Sequence, residues 1–250
     1  MTKRPGFPAR LQTPAAPPAR SNAAPVASRP LAPSGVGMDS EAVRVRMVAR
    51  LAAEGIADPR VLAAMGRIER HRFVDTALAI QAYEDTSLPI GLGQTISKPS
   101  VVARMAELLV QGVQGRLGRI LEIGTGCGYQ AAVLGELATE VYSIERLRGL
   151  HDKARDNLRP LRLPNVHLLF GDGMQGYAKG APYAGIIAAA GGEAVPQAWV
   201  DQLAIGARIV APVALPGGRQ SLVVLEKTAR ELRRTVLETV QFVPLKSGIA

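Results

Sequence analysis

The sequence predicts an α/β fold: a mostly parallel, seven-stranded sheet with an antiparallel edge and helices on both faces. Three observations carry this. From residue 119 onward, short apolar runs alternate with helical stretches, as expected for buried parallel strands joined by crossover helices. The first of these runs passes directly into three alternating glycines, and a helical stretch follows. The chain then closes with two neighbouring apolar runs separated only by a turn, which reads as the antiparallel edge.

Composition bounds the answer. At 250 residues the chain is long enough to bury a core without covalent staples. Aromatic residues make up only 4%, so that core must be built from Ala, Val, Leu and Ile. The single cysteine, Cys127, excludes an internal disulfide and suits a reducing compartment, so a cytoplasmic location is expected. No apolar run approaches the roughly 20 residues of a spanning helix, and the N-terminus lacks a continuous apolar signal core. The net charge is +9, but residues 1–37 hold five basic residues and no acid, which leaves only +4 for the remainder. No aromatic-rich basic stripe is visible, so no nucleic-acid partner is expected.

The elements follow in order. Residues 1–37 are rich in Pro and Ala, without apolar periodicity, and read as a disordered basic tail. The dense prolines oppose the amphipathic helix that a transit peptide would need. Order is expected from about Met38, with Asp39 or Ser40 capping a helix that presents Val43, Met47 and Leu51 and ends at Gly55. Asp58 and Pro59 read as the cap and first residue of a second helix, with Val61, Leu62, Met65 and Ile68 as its stripe. Parallel strands are expected at 119–123, 140–144, 166–170, 184–189 and 208–213, with helices at 129–137 and 147–158. The edge strands are expected at 221–227 and 231–243. No internal repeat is present.

The run Leu121-Glu122-Ile123-Gly124-Thr125-Gly126-Cys127-Gly128-Tyr129 is the strongest local signal. Glycines here allow a tight turn and close approach of a ligand to the backbone. The spacing is G-x-G-x-G rather than the G-x-G-x-x-G of dinucleotide folds. Glu122 at the strand end would repel a pyrophosphate but helps hold a cation, directly or through water. S-adenosylmethionine carries a sulfonium and an ammonium and no phosphate, so it fits better than NAD. The second strand runs into Glu145, placed to accept hydrogen bonds from ribose hydroxyls. The third runs into Gly171-Asp172-Gly173, which places Asp172 to meet an adenine amino group. Singly, these are a turn, a helix cap and another turn; together, each closing a strand in order, they point to a nucleoside site at a topological switch point.

Residues 88–100 read as a long loop with glycines at 91 and 93 and prolines at 89 and 99, the kind of segment that serves as a lid or binding loop. Thr95, Ser97 and Ser100 offer hydroxyls, and either serine is also a candidate cap for the following helix. His71, His151 and His167 are scattered, so no metal cluster is expected.

Gly93-Gln94-Thr95-Ile96-Ser97, the glycine turn, Gly171-Asp172-Gly173 and Phe242-Val243-Pro244-Leu245 resemble the protein-L-isoaspartate O-methyltransferase family. The likeness runs from about Val43 to the end of the chain, and Gln-Thr-Ile-Ser is its most specific part. It implies a Rossmann-like, S-adenosylmethionine-dependent methyltransferase. Such an enzyme esterifies the free α-carboxylate of an isoaspartyl residue and leaves S-adenosylhomocysteine. The ester then cyclises to a succinimide, whose hydrolysis returns part of the material to aspartate. Ser97 maps to the catalytic-site serine. Cofactor contacts are implied at Thr95, Ile96, Glu122, Gly124, Thr125, Gly126, Gly128, Tyr129, Glu145, Arg146, Asp172 and Gly173. Gly217-Gly218-Arg219-Gln220 maps to a family turn that brings Gln220 near the cofactor.

On this reading 38–250 is a single methyltransferase domain. Residues 38–100 form its helical cap and active-site loop, and 101–250 its cofactor-binding core and final strands. A monomer acting on isoaspartyl peptides and proteins, away from membranes, is expected. The chain departs from the family at Cys127, usually serine; at Ala184, usually aspartate; and at Gly191-Gly192, usually more proline-rich. The last two bear on the substrate side. A carboxylate is already ionised at neutral pH, so no strong base is needed. The task is to bring its oxygen to about 3–3.5 Å from the methyl carbon and exclude water. Ser97 then orients the oxygen rather than attacking. The alternatives are a methyltransferase of the same fold acting on nucleic acid or a small molecule, and a binding module that has lost turnover.

Overall fold

Helix formation begins where the apolar stripe begins. In the computed structural model, which describes residues 40–250 together with Met1, the first helix α1 spans Ser40–Ala53. The expected tail beyond Met1 and the Asp39 cap lie outside the described residues. Met47 and Leu51 of α1 are buried, and Gly55 turns the chain with φ of +106°. Asp58 then caps α2 (Pro59–Arg67): its side chain accepts from the Arg60 amide, and Pro59 fills a position that needs no donor. Val61, Met65 and Ile68 bury the expected stripe.

The expected long loop at 88–100 is instead a hairpin. Strand β1 (Leu88–Gly91) pairs antiparallel with β2 (Gln94–Ile96) across a tight turn. Leu88, Ile90 and Ile96 are buried while Pro89, Gly91 and Thr95 are exposed, so the segment has the period of two that its Gly and Pro content masked. Helix α3 (Pro99–Val110) follows, and neither Ser97 nor Ser100 caps it with its own oxygen. The acceptor is imported: Asp85 Oδ1 accepts from the Ser100 amide at 2.8 Å, and Oδ2 accepts from the Ser100 hydroxyl at 2.8 Å.

The main sheet contains β3 (Leu117–Ile123), β4 (Ala138–Glu145), β5 (Val166–Phe170), β6 (Tyr183–Ala188), β7 (Leu203–Ala214), β8 (Gln220–Lys227) and β9 (Leu232–Val240). Its order is β5-β4-β3-β6-β7-β8-β9; the pairs β7–β8 and β8–β9 are antiparallel and the other pairs are parallel. The chain lays β4 and β5 to one side of β3 and then returns to β6 on its other side, so the switch point lies at the tip of β3. The strand at 208–213 extends back to Leu203, and the one at 231–243 stops at Val240.

Alternation along the strands divides the core. Ile120, Val141, Ile187 and Val210 face a cluster shared with α1–α3 and with helix α4 (Tyr129–Leu137). Helix α5 (Arg148–Leu158) adds Leu150 and Leu158 to the same face. Leu121, Ile123, Ile186 and Ile209 face the other way, onto Trp199 and Val200 of the short helix α6 (Gln197–Gln202). Among the described residues no helix is long and apolar enough to cross a membrane.

Removing the imported cap, Asp85→Ala, is expected to destabilise the protein by roughly 1–2 kcal/mol, because the Ser100 amide at the head of α3 loses its acceptor. The urea midpoint of unfolding checks this.

Candidate active site

A cavity of about 510 Å³ opens at the tip of β3. Its floor is the glycine turn. The Gly124 amide donates to Ile144 O at 2.9 Å, the Thr125 amide shares that acceptor at 3.2 Å, and Gly128 closes the turn with its amide on Thr125 O at 2.9 Å. Gly124, Gly126 and Gly128 have φ of +90°, +56° and +91°, backbone that favours glycine. A side chain at Gly126 would also crowd Ile90 of the hairpin, with its Cβ 3.2 Å away. The hairpin thus roofs the turn. Lys153 of α5 holds it there, donating to Ile90 O at 2.9 Å and to Asp75 Oδ1 at 3.2 Å.

Glu145 locks the floor to the neighbouring strand tip. It is buried, its Oε2 accepts from the Gly126 amide at 2.9 Å and its Oε1 from the Leu147 amide at 2.9 Å. Each carboxylate oxygen has more than one lone-pair site, so acceptor capacity remains toward the cavity that Glu145 lines. Arg146, the next residue, also lines it. Ser97 lines the cavity from the end of the hairpin, half-buried, and its hydroxyl has no hydrogen-bond partner among the described residues.

The structure brings together, around this one cavity, Ser97, Thr95, Ile96, Gly124, Thr125, Gly126, Tyr129, Glu145, Arg146 and Gly173. Four other residues singled out in the sequence do not line it. Glu122 is fully buried beneath the floor: the Ser143 hydroxyl donates to it, and Ser143 in turn meets Thr125 Oγ1 at 2.6 Å. Burial pushes the Glu122 carboxyl up to about 8, against the downward pull of Ser143 and Gln130 and with a further upward push from Glu145. Glu122 Oε1 and both polar atoms of the Gln130 side chain lack hydrogen-bond partners of full geometry. Glu122 reaches the cavity through neighbours that line it: Thr125 by way of Ser143, and Gln130.

Gly128 starts α4 and packs against Leu158. Asp172 has both oxygens engaged: Oδ1 accepts from the Met174 amide at 2.9 Å and Oδ2 from the Gly248 amide at 2.7 Å. Gln220 clamps the backbone of Phe242, accepting from its amide at 2.8 Å and donating to its carbonyl at 3.2 Å. That clamp sets the direction of Val243, Pro244 and Leu245, which do line the cavity.

Gln130, Leu150, Lys246 and the pair Ala189-Ala190, none of them singled out in the sequence, also stand in the cavity wall. Gln130 directly follows the glycine turn and was within reach; Ala189-Ala190 are legible only once β6 is known to lie beside β3. Two departures find their places. Ala184 stands at the start of β6, at the far end of that strand from Ala189, so it does not shape the cavity. An added Cβ at Gly191 would lie 2.5 Å from the amide end of the Gln220 side chain, so any other residue there would displace the amide that clamps Phe242.

Comparison with known proteins adds four findings. The family model described as protein-L-isoaspartate(D-aspartate) O-methyltransferase matches residues 42–250. A protein-L-isoaspartate O-methyltransferase of Methylibium petroleiphilum is 59% identical over 98% of this chain and 96% of its own length. A solved protein-L-isoaspartate O-methyltransferase superposes with a TM-score of 0.74 at 28% identity, over 82% of this chain and 67% of that one. A Plasmodium falciparum protein solved in complex with S-adenosyl-L-homocysteine shares the fold, with a TM-score of 0.71 at 22% identity over 81% and 98% of the two chains.

The buried Glu122 gives a pH dependence with a definite sign. Its folded pKa of about 8 lies above the ordinary carboxylate value of 4.5, so between these pH values the folded state holds more protons than the unfolded state, and stability falls as pH rises. Glu122→Gln cannot ionise and loses this slope. Urea unfolding at pH 5 and pH 8 is expected to show wild type losing at least about 1 kcal/mol more than Glu122→Gln over that interval.

Proposed function

The chain belongs to the protein-L-isoaspartate(D-aspartate) O-methyltransferase family, and on that footing we propose how its cavity transfers a methyl group from S-adenosylmethionine to the α-carboxylate of an isoaspartyl residue. The observation that supports the reading best is the Glu145 carboxylate. It is held by the Gly126 and Leu147 amides, faces the cavity and lies on the same wall system as the Ser97 hydroxyl.

The donor set suits a nucleoside without phosphates. Glu145 offers acceptors to a pair of ribose hydroxyls, and a pyrophosphate beside it would be repelled. Thr125, hydrogen-bonded through Ser143 to Glu122, carries the influence of a second acid toward a positively charged group. Gly173 and Leu150 give flat, apolar wall for a base. When bound, S-adenosylmethionine supplies an electrophilic methyl group whose departing sulfur takes the bonding electron pair.

This chain's residues have little proton chemistry to perform. The substrate carboxylate is its own nucleophile at neutral pH, and the new C–O bond forms without loss of a proton. Ser97 donates a hydrogen bond that aligns the attacking oxygen, and the hairpin over Gly126 excludes water. On this proposal residues 38–250 act as one methyltransferase domain whose substrates are isoaspartyl-containing peptides and proteins.

Transfer of labelled methyl to an isoaspartyl peptide, but not to its aspartyl counterpart, is the expected outcome; equal labelling of both, or labelling of RNA alone, would contradict the substrate. Glu145→Ala is expected to weaken S-adenosylhomocysteine binding in calorimetry by roughly ten- to a hundredfold, because charge-assisted hydrogen bonds are lost. Ser97→Ala is expected to lower kcat by roughly tenfold or more while leaving cofactor affinity within a few-fold.

A further inference from the structure

The residues after β9 stitch together the strand tips around the cavity. The Gly191 amide donates to Val243 O at 2.9 Å, and the Leu245 amide donates to Gly191 O at 2.8 Å, tying the segment to the loop after β6. Lys246 lines the cavity. The Gly248 amide then donates to Asp172 Oδ2 at 2.7 Å, beyond the tip of β5. Arg146 Nε, beyond the tip of β4, donates to Gly248 O at 2.9 Å. Ala250 brackets Leu147, its amide donating to Arg146 O at 2.8 Å and its backbone oxygen accepting from the Arg148 amide at 2.8 Å.

The anchor points decide what this arrangement does. Arg146, Leu147 and Gly173 line the cavity together with Glu145, so the segment holds either wall residues or their immediate neighbours. Asp172 alone would be fixed only by the Met174 amide two residues on. With Gly248 added, its carboxylate is pinned at both oxygens, and each still has acceptor capacity to spare. Gly248 sits at φ of +76° with no atom within 4 Å of where a Cβ would project, so glycine is there for its backbone conformation rather than for space.

We infer that residues 246–250 form a strap that fixes the wall residue Arg146, and Asp172 just behind the wall beside Gly173, at the nucleoside end of the cavity, with Gly248 as a positioning residue for cofactor binding. The inference rests on the reading of the cavity as the S-adenosylmethionine site. The physical basis is preorganisation. Without the strap, Asp172 Oδ2 and the Arg146 side chain lose these anchors, and the entropy of ordering them opposes binding.

The test uses the full chain and calorimetry with S-adenosylhomocysteine. Gly248→Pro removes the amide donor and cannot adopt a positive φ. It is expected to weaken binding roughly three- to tenfold, the range of a single net hydrogen bond. The KM for S-adenosylmethionine rises in proportion, while kcat at saturating cofactor stays within twofold. Because Gly248 acts through Asp172, the loss in the double variant Asp172→Ala with Gly248→Pro is smaller than the product of the two single losses. Unchanged affinity in Gly248→Pro, or losses that simply multiply, would overturn the inference and leave the reading of the cavity standing. Tighter binding would overturn it too, since the segment would then compete for the nucleoside's place. Failure of the intact protein to bind S-adenosylhomocysteine would remove the cavity reading and the strap together.

Discussion

Two backbone amides on one carboxylate hold the site together. Glu145 accepts from Gly126 on the turn after β3 and from Leu147 at the head of α5, so a single side chain sets the distance between the two strand tips that matter. Everything around it is arranged to keep that carboxylate buried yet facing a cavity. The hairpin β1–β2 presses Ile90 onto Gly126, and Lys153 keeps the hairpin in place. Gln220, from the antiparallel edge, steers Val243–Leu245 residues into the opposite wall by clamping Phe242. Distant parts of the chain thus converge on one turn because the sheet order reverses at β3.

The two acids at the strand tips are separated by environment rather than by sequence. Glu145 receives donors from the main chain and meets the cavity. Glu122 is deeper, has one oxygen without a partner and is pushed up by burial into the physiological range. A cation above Thr125 would favour its ionised form, so proton release and ligand charge are coupled through Ser143. Burying such a group lowers stability above pH 4.5, a cost that a purely structural core would not carry.

Much of the frame was legible because it depends on local rules. The Asp58-Pro59 helix start, the glycine turn, β5 at Val166–Phe170 and α4 at Tyr129–Leu137 follow from capping, apolar runs and glycine spacing. The hairpin was not legible: two short strands rich in Gly and Pro carry a loop's composition, and their alternation is only a few residues long. Nor was the cap of α3, because its acceptor, Asp85, lies 15 residues from Ser100 in the chain. Of the residues singled out for the site, those on the hairpin and, apart from Gly128, those on the turn reach the cavity wall. Glu122, Asp172 and Gln220 stand behind it, since a position at a strand end does not reveal which way a side chain turns.

A crystal of the protein soaked with S-adenosylhomocysteine tests the central claim most directly. The account predicts the ribose hydroxyls on Glu145, the base against Gly173 and the sulfur on the side of Ser97. A nucleoside bound elsewhere, or a cavity that instead accepts a phosphate-bearing ligand beside Glu145, would contradict it.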